Sequence, residues 1–119
     1  MYEIDFYKDK NGVSEVSDFF AELAEKAKTS KDARINLNKI GAYLKVLEEK
    51  GTRVGYPVVE YMNDSLWELR PLAHRIFFFY WKDNTFILLS HYVKKSQKTP
   101  PLELEKAKAY MKDWKERNK

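Results

Sequence analysis

Apolar and polar positions alternate where the chain begins. Tyr2, Ile4 and Phe6 interleave with Glu3, Asp5 and Tyr7, predicting a half-buried strand. The period changes after the Asn11-Gly12 break. Val16, Phe19, Phe20, Leu23, Ala24 and Ala27 recur at helical spacing, so 15–27 is predicted to be an amphipathic helix. Ser14 is its expected N-cap, with Glu15 and Asp18 near the positive end of the helix dipole. Thr29-Ser30 restarts the pattern. Ala33, Leu37, Ile40, Leu44 and Leu47 then line a longer helix that Gly51 ends. Beyond a loop punctuated by Gly55 and Pro57, Val58–Met62 and Leu66–Arg70 read as short strands joined by Asn63, Asp64 and Ser65. Leu104, Ala107, Met111 and Trp114 share one face of a last helix running to about Lys115, with Thr99 as its expected cap.

The stretch His74–Pro101 organises the rest. Two aromatic and β-branched runs, Ile76–Trp81 and Phe86–Leu89, flank a polar break and predict an antiparallel hairpin. Their nearly unbroken apolar character implies cover on both faces. A two-residue Asp83-Asn84 loop would set Lys82 against Thr85, Trp81 against Phe86, Phe79 against Leu88, Phe77 against Ser90 and Arg75 against Tyr92. Side chains two apart share a face, so Arg75, Tyr92 and Lys94 would lie together, with His91 opposite, beside Ile76. The element order predicts an α+β fold. Its sheet is small and largely antiparallel, with the two N-terminal helices packed on one face and a C-terminal helix.

Composition narrows the class. At 119 residues the chain is read as a single domain, residues 1–119, and 44% hydrophobic content with 15% aromatics argues against disorder. No apolar run approaches the ~20 residues of a membrane span, and no signal-like leader opens the chain. With no cysteine, disulfides and thiolate metal sites are excluded, and the two histidines would need carboxylate help to hold a metal. The expectation is a soluble, cytoplasmic protein with no cofactor, no metal and no membrane partner. Charge is uneven. Ten bases face thirteen acids through residue 69, six face one over 70–101, and six face four beyond. Such asymmetry suits a polyanionic partner, though an ordinary solvated surface would look the same.

No nucleotide-binding loop, Ser-His-Asp order or metal motif is present. What remains is Arg70, Arg75, His91, Tyr92, Lys94, Lys95, Gln97 and Lys98 near strand ends, with Lys82 at the hairpin turn. RNA phosphodiester cleavage suits this set. A base takes the 2′-hydroxyl proton, cations stabilise the phosphorane, and an acid protonates the leaving 5′-oxygen. Arginine forks grip phosphate oxygens, lysines supply point charges, and Tyr92 can stack on an unpaired base. Each residue also has a purely structural reading. Arg70 can pair with Glu68, His91 can be a half-buried hydrogen-bonded histidine, and Tyr92 can be core with its hydroxyl at the rim. Lys94, Lys95 and Lys98 can be solvated charges, His74 reads as a loop residue, and Trp67, Trp81 and Trp114 read as core.

Leu66–Pro71 (L-W-E-L-R-P), the H-R-I-F-F-F-Y strand, and above all V-K-K-S-Q-K-T-P-P followed by E-x-E-K-A-K resemble the HigB-type branch of the RelE/ParE toxin superfamily. The resemblance covers essentially the whole chain. It implies the toxin of a type II toxin–antitoxin pair: a metal-independent, ribosome-dependent mRNA endoribonuclease that inhibits translation. It also implies a HigA-like helix-turn-helix antitoxin, with operator DNA contacted only through that partner, and the ribosome and mRNA as targets. Carried over residue by residue, Arg70 matches the family's L-R arginine, Arg75 the arginine of the next strand, and Lys94-Lys95 the basic pair after the last strand. His91 and Tyr92 match more loosely. RelE-type sequences often carry lysines on the strand leading into L-R, where this chain has Leu66 and Glu68, so His91 stands as the substitute base. The catalytic candidates are therefore Arg70, Arg75, His91, Lys94 and Lys95, and the RNA-binding ones Tyr92, Gln97, Lys98 and Lys82. The competing functions are a ParE-like gyrase inhibitor that cleaves nothing and an inactive basic RNA-binding module.

Overall fold

The computed structural model describes residues 1–119. Strand β1 (Glu3–Phe6) leads into helices α1 (Glu15–Ala27) and α2 (Lys31–Lys50). After a 3₁₀ turn over Gly51–Val54 come β2 (Val59–Asn63), β3 (Leu66–Leu69), β4 (His74–Tyr80), β5 (Thr85–Val93) and helix α3 (Pro101–Arg117). The five strands form one sheet in the order β1-β5-β4-β3-β2. Every neighbouring pair is antiparallel except β1 with β5, which run parallel because α1, α2 and the sheet's other strands intervene between them. The expected α+β, largely antiparallel architecture is the one observed.

The helix ends follow their caps. Ser14 Oγ accepts from the Ser17 N–H and Ser30 Oγ from the Ala33 N–H, each at 3.1 Å, satisfying donors that a helix start leaves unpaired. Gly51 ends α2 with φ +65°, and a Cβ there would lie 2.7 Å from the Tyr2 ring. Only glycine meets both conditions. At the last helix the expected cap is corrected. Pro100, not Thr99, occupies the N-cap position without a side-chain bond, and Thr99 faces Tyr92 instead.

Strand alternation sends side chains into two cores. Val16, Ile40, Leu47, Ile76, Phe78 and Leu88 pack on the α1–α2 face, whereas Leu66, Phe77, Phe79, Ile87, Leu89, Ala107 and Met111 pack under α3. The central hairpin is thus buried on both sides, as its apolar runs predict. Trp67, Trp81 and Trp114 are only partly buried, at the margins of these cores.

The hairpin register is right at one end and shifted by one in the middle. Asp83 (φ +53°) and Asn84 (φ +58°) form the two-residue loop with both residues left-handed, the I′ geometry that matches strand twist. Thr85 donates to the Lys82 carbonyl, but Trp81 donates to Thr85, and Tyr80 pairs with Phe86. Phe79 therefore faces Ile87 rather than Leu88. A second irregularity between Phe77 and Phe78 restores the expected pairs Phe77–Ser90 and Arg75–Tyr92. One extra residue on each strand cancels the other, so the open end keeps its register.

Candidate phosphate-binding site

Where β3, β4 and β5 meet the tail, a small concavity is lined by Glu60, Glu68, Arg70, Arg75, Tyr92 and Lys94, closed by Ser96–Thr99. The Lys94 N–H donates to the Ala73 carbonyl at 2.7 Å, holding the tail over the strand ends. Arg75 is 5% exposed. Its Nη1 donates to the carbonyls of Leu72 (2.7 Å) and His74 (2.8 Å), and its Nε lies 3.8 Å from a Glu68 oxygen. Leu72 has φ +56°, so Arg75 also braces a left-handed turn. Arg70 Nη1 donates to Glu60 at 2.9 Å and lies 3.7 Å from Glu68.

Glu68 is the hub. At 2% exposure it faces both guanidinium groups and accepts from the Tyr92 hydroxyl at 2.8 Å. Burial raises its pKa, against the opposing pull of the Tyr92 hydroxyl, Arg75 and Arg70. Burial, reinforced by this acidic neighbour, pushes the Tyr92 phenol up to about 12. Tyr92 is 8% exposed and its ring stacks on Phe77 at 5.6 Å. It is a core tyrosine with its hydroxyl at the site, so no base can stack on it. Four cations against two carboxylates leave a net positive concavity. Its enclosed part is about 30 Å³, room for roughly one water, so a phosphate would be held at its mouth.

The expected set is therefore brought together in part. Arg70, Arg75, Tyr92, Lys94, Gln97 and Lys98 share the concavity. Lys95 turns to a separate depression beside Val93 and Pro100. Lys82 sits at the far turn, 5.1 Å over the Trp81 ring. His91 lies on the opposite sheet face, paired with Ile76 and stacked on Phe19 at 3.5 Å. There it contacts His74 nitrogen-to-nitrogen at 2.9 Å, and its backbone N–H donates to Glu15. Burial, with His74 and Lys106 nearby, lowers its pKa to about 4. Serving as base at Arg75 would require its ring to reach through the sheet; the assignment is corrected.

His91 instead borders a larger cleft of about 530 Å³ between α1 and α3. Asp9, Glu15, Asp18 and Glu22 line that cleft without a lysine or arginine, so its charge is opposite in sign to that of the smaller concavity. Alternation gives no sign of Glu60 and offers Glu68 only as a partner for Arg70, a pairing present at 3.7 Å. The β2–β3–β4 pairing, which sets Glu60 beside Glu68 and Glu68 beside Phe77, brings both to the site.

A family model described as "Phage derived protein Gp49-like" matches residues 19–112. The chain belongs to this Gp49-like family. The matched span runs from α1 into α3 and so contains every side chain of the concavity. Sequence comparison with curated proteins yields no match. Among solved structures, a chain of the YoeB-YefM complex from Staphylococcus aureus superposes with a TM-score of 0.51. It shares 16% identity and covers 80% of this chain and 99% of that one. At that identity the likeness concerns the fold, and the Gp49-like chain shares it.

Proposed function

We propose that this Gp49-like protein is the toxin of a type II toxin–antitoxin pair, of the HigB type. In this reading it is a ribosome-dependent mRNA endoribonuclease working without a metal. The observation that carries the reading is the concavity itself, where two anchored arginines and two lysines converge beside carboxylates at the mouth of an aromatic hairpin. Arg70 and Arg75 bind the scissile phosphate and stabilise the charge that builds on it. Glu60, whose side chain is 46% exposed, takes the 2′-hydroxyl proton, since Glu68 is sealed beneath it. Glu68 positions both guanidinium groups. The Lys94 ammonium gives one proton to the leaving 5′-oxygen, and Lys98 and Gln97 contact the backbone. Lys95 and Lys82 bind RNA outside the concavity as point charges.

Family membership supports a phage-related origin for this role, and the fold match is to one chain of a two-protein complex. A HigA-like helix-turn-helix antitoxin is the expected partner, and operator DNA is reached only through it. The protein acts in the cytoplasm, where translating ribosomes are.

Induced expression followed by mapping of transcript 5′ ends tests the assignment. Codon-phased cuts should appear with the wild type and vanish with Arg75→Lys. Intact transcripts accompanied by DNA-damage signalling would replace it with a gyrase inhibitor.

A further inference from the structure

The buried Tyr92 ring leaves the concavity without the stacking surface that an unpaired base needs. Another aromatic stands at its edge. Tyr56, in the turn before β2, is 70% exposed, and its ring centroid lies 4.8 Å from the Arg70 guanidinium carbon. One face of the ring covers a cation, and the other is open to solvent. Most of the side chain lies in solvent, so burial does not explain its placement. Arg70 is itself fixed, through Nη1 to Glu60 and through its backbone N–H to the Val58 carbonyl at 2.9 Å. The ring therefore rests on a rigid, charged platform rather than on a mobile side chain.

We propose that Tyr56 is a base-stacking residue: an unpaired RNA base lies on its open face while the adjoining phosphate rests against Arg70 and Arg75. The guanidinium beneath withdraws electron density from the phenol ring, favouring an electron-rich purine on the outer face. Stacking on an exposed ring tolerates any base, so Tyr56 adds affinity and holds one nucleotide in place without reading its edge. The inference rests on the concavity being an RNA site.

The test uses full-length protein and fluorescein-labelled oligoadenylate heptamers, intact or with one abasic residue scanned along the strand, with Kd read by fluorescence anisotropy. For the wild type, one abasic position should weaken binding roughly 5- to 150-fold. Tyr56→Ala should bind intact RNA that much more weakly and be indifferent to the abasic residue at that position. Tyr56→Phe should behave as wild type. A Tyr56→Ala protein that binds intact RNA like the wild type overturns the assignment. So does one that weakens intact and abasic RNA equally, which would mean the ring merely positions Arg70. If the wild type binds no heptamer, the Tyr56 assignment falls, while the ribosome-dependent cleavage proposed for the concavity is decided separately by the transcript mapping. If it binds and only the Tyr56 variants show no effect, the concavity stands and Tyr56 alone is removed.

Discussion

Glu68 shows how one buried acid can set the character of a basic site. It stands 3.7 Å from Arg70, 3.8 Å from Arg75 and 2.8 Å from the Tyr92 hydroxyl, all nearly out of water. Removing one partner of such a group strands the others. Glu68→Ala should lower unfolding free energy by about 3 kcal/mol in urea titrations at pH 7, whereas Glu68→Gln should cost less because it still accepts from Tyr92. Equal losses in the two variants would contradict that role. The arginines were legible because two cations at the ends of apolar strands have few structural uses. Glu68 was legible as a partner for Arg70 but not as a buried hub, because W-E-L-R reads as ordinary alternation. The Ser96–Thr99 tail closes over it at the strand ends. His91 lies where strand alternation puts it, opposite Tyr92 and beside Ile76. Its role as base fails for another reason: it was assigned to stand in for lysines that Leu66 and Glu68 replace, against the face that alternation gives it.

At the level of elements, capping residues and periodicity carried most of the information. Ser14 and Ser30 mark helix starts to the residue, and Gly51 marks an end. Ser30→Ala should destabilise the protein by about 1 kcal/mol, visible as a lower thermal midpoint, because the Ala33 N–H loses its acceptor. An unchanged midpoint would show that water replaces the cap at no cost. The hairpin marks where such reading stops. A loop type fixes the first pair, but bulges inserted further along are set by how side chains pack on two covered faces, which strand alternation does not encode. Arg75 and Tyr92 were paired correctly only because the offsets at Trp81 and between Phe77 and Phe78 compensate.

Across the whole molecule, two chemistries occupy different places. The cationic concavity lies at the open end of the hairpin beside the tail, and the acidic cleft lies between α1 and α3, where His91 stacks on Phe19 and contacts His74. His91 prefers its neutral form in the fold, since its pKa falls from 6.5 to about 4. The pair faces Arg75, Lys106 and Asp32, and Glu15 holds the His91 backbone. Above pH 6.5 neither the folded nor the unfolded state protonates this ring, and its contribution to stability is fully present. As pH falls toward 4, the unfolded chain takes up the proton first, and up to about 3 kcal/mol is lost. Urea titrations at pH 6.5 and 4.5 should show a steeper loss for the wild type than for His91→Gln; parallel curves would mean the histidine pair is not desolvated.

The central claim is that the concavity cleaves RNA by moving the 2′-hydroxyl proton to Glu60 while Arg75 holds the phosphate. Purified protein added to mRNA-programmed ribosomes tests it directly, with the fragment ends analysed chemically. Wild-type protein should yield fragments ending in 2′,3′-cyclic phosphate, with Glu60→Gln and Arg75→Lys each slower by about 100-fold or more. Intact mRNA with the wild type, or undiminished cleavage by both variants, would contradict it.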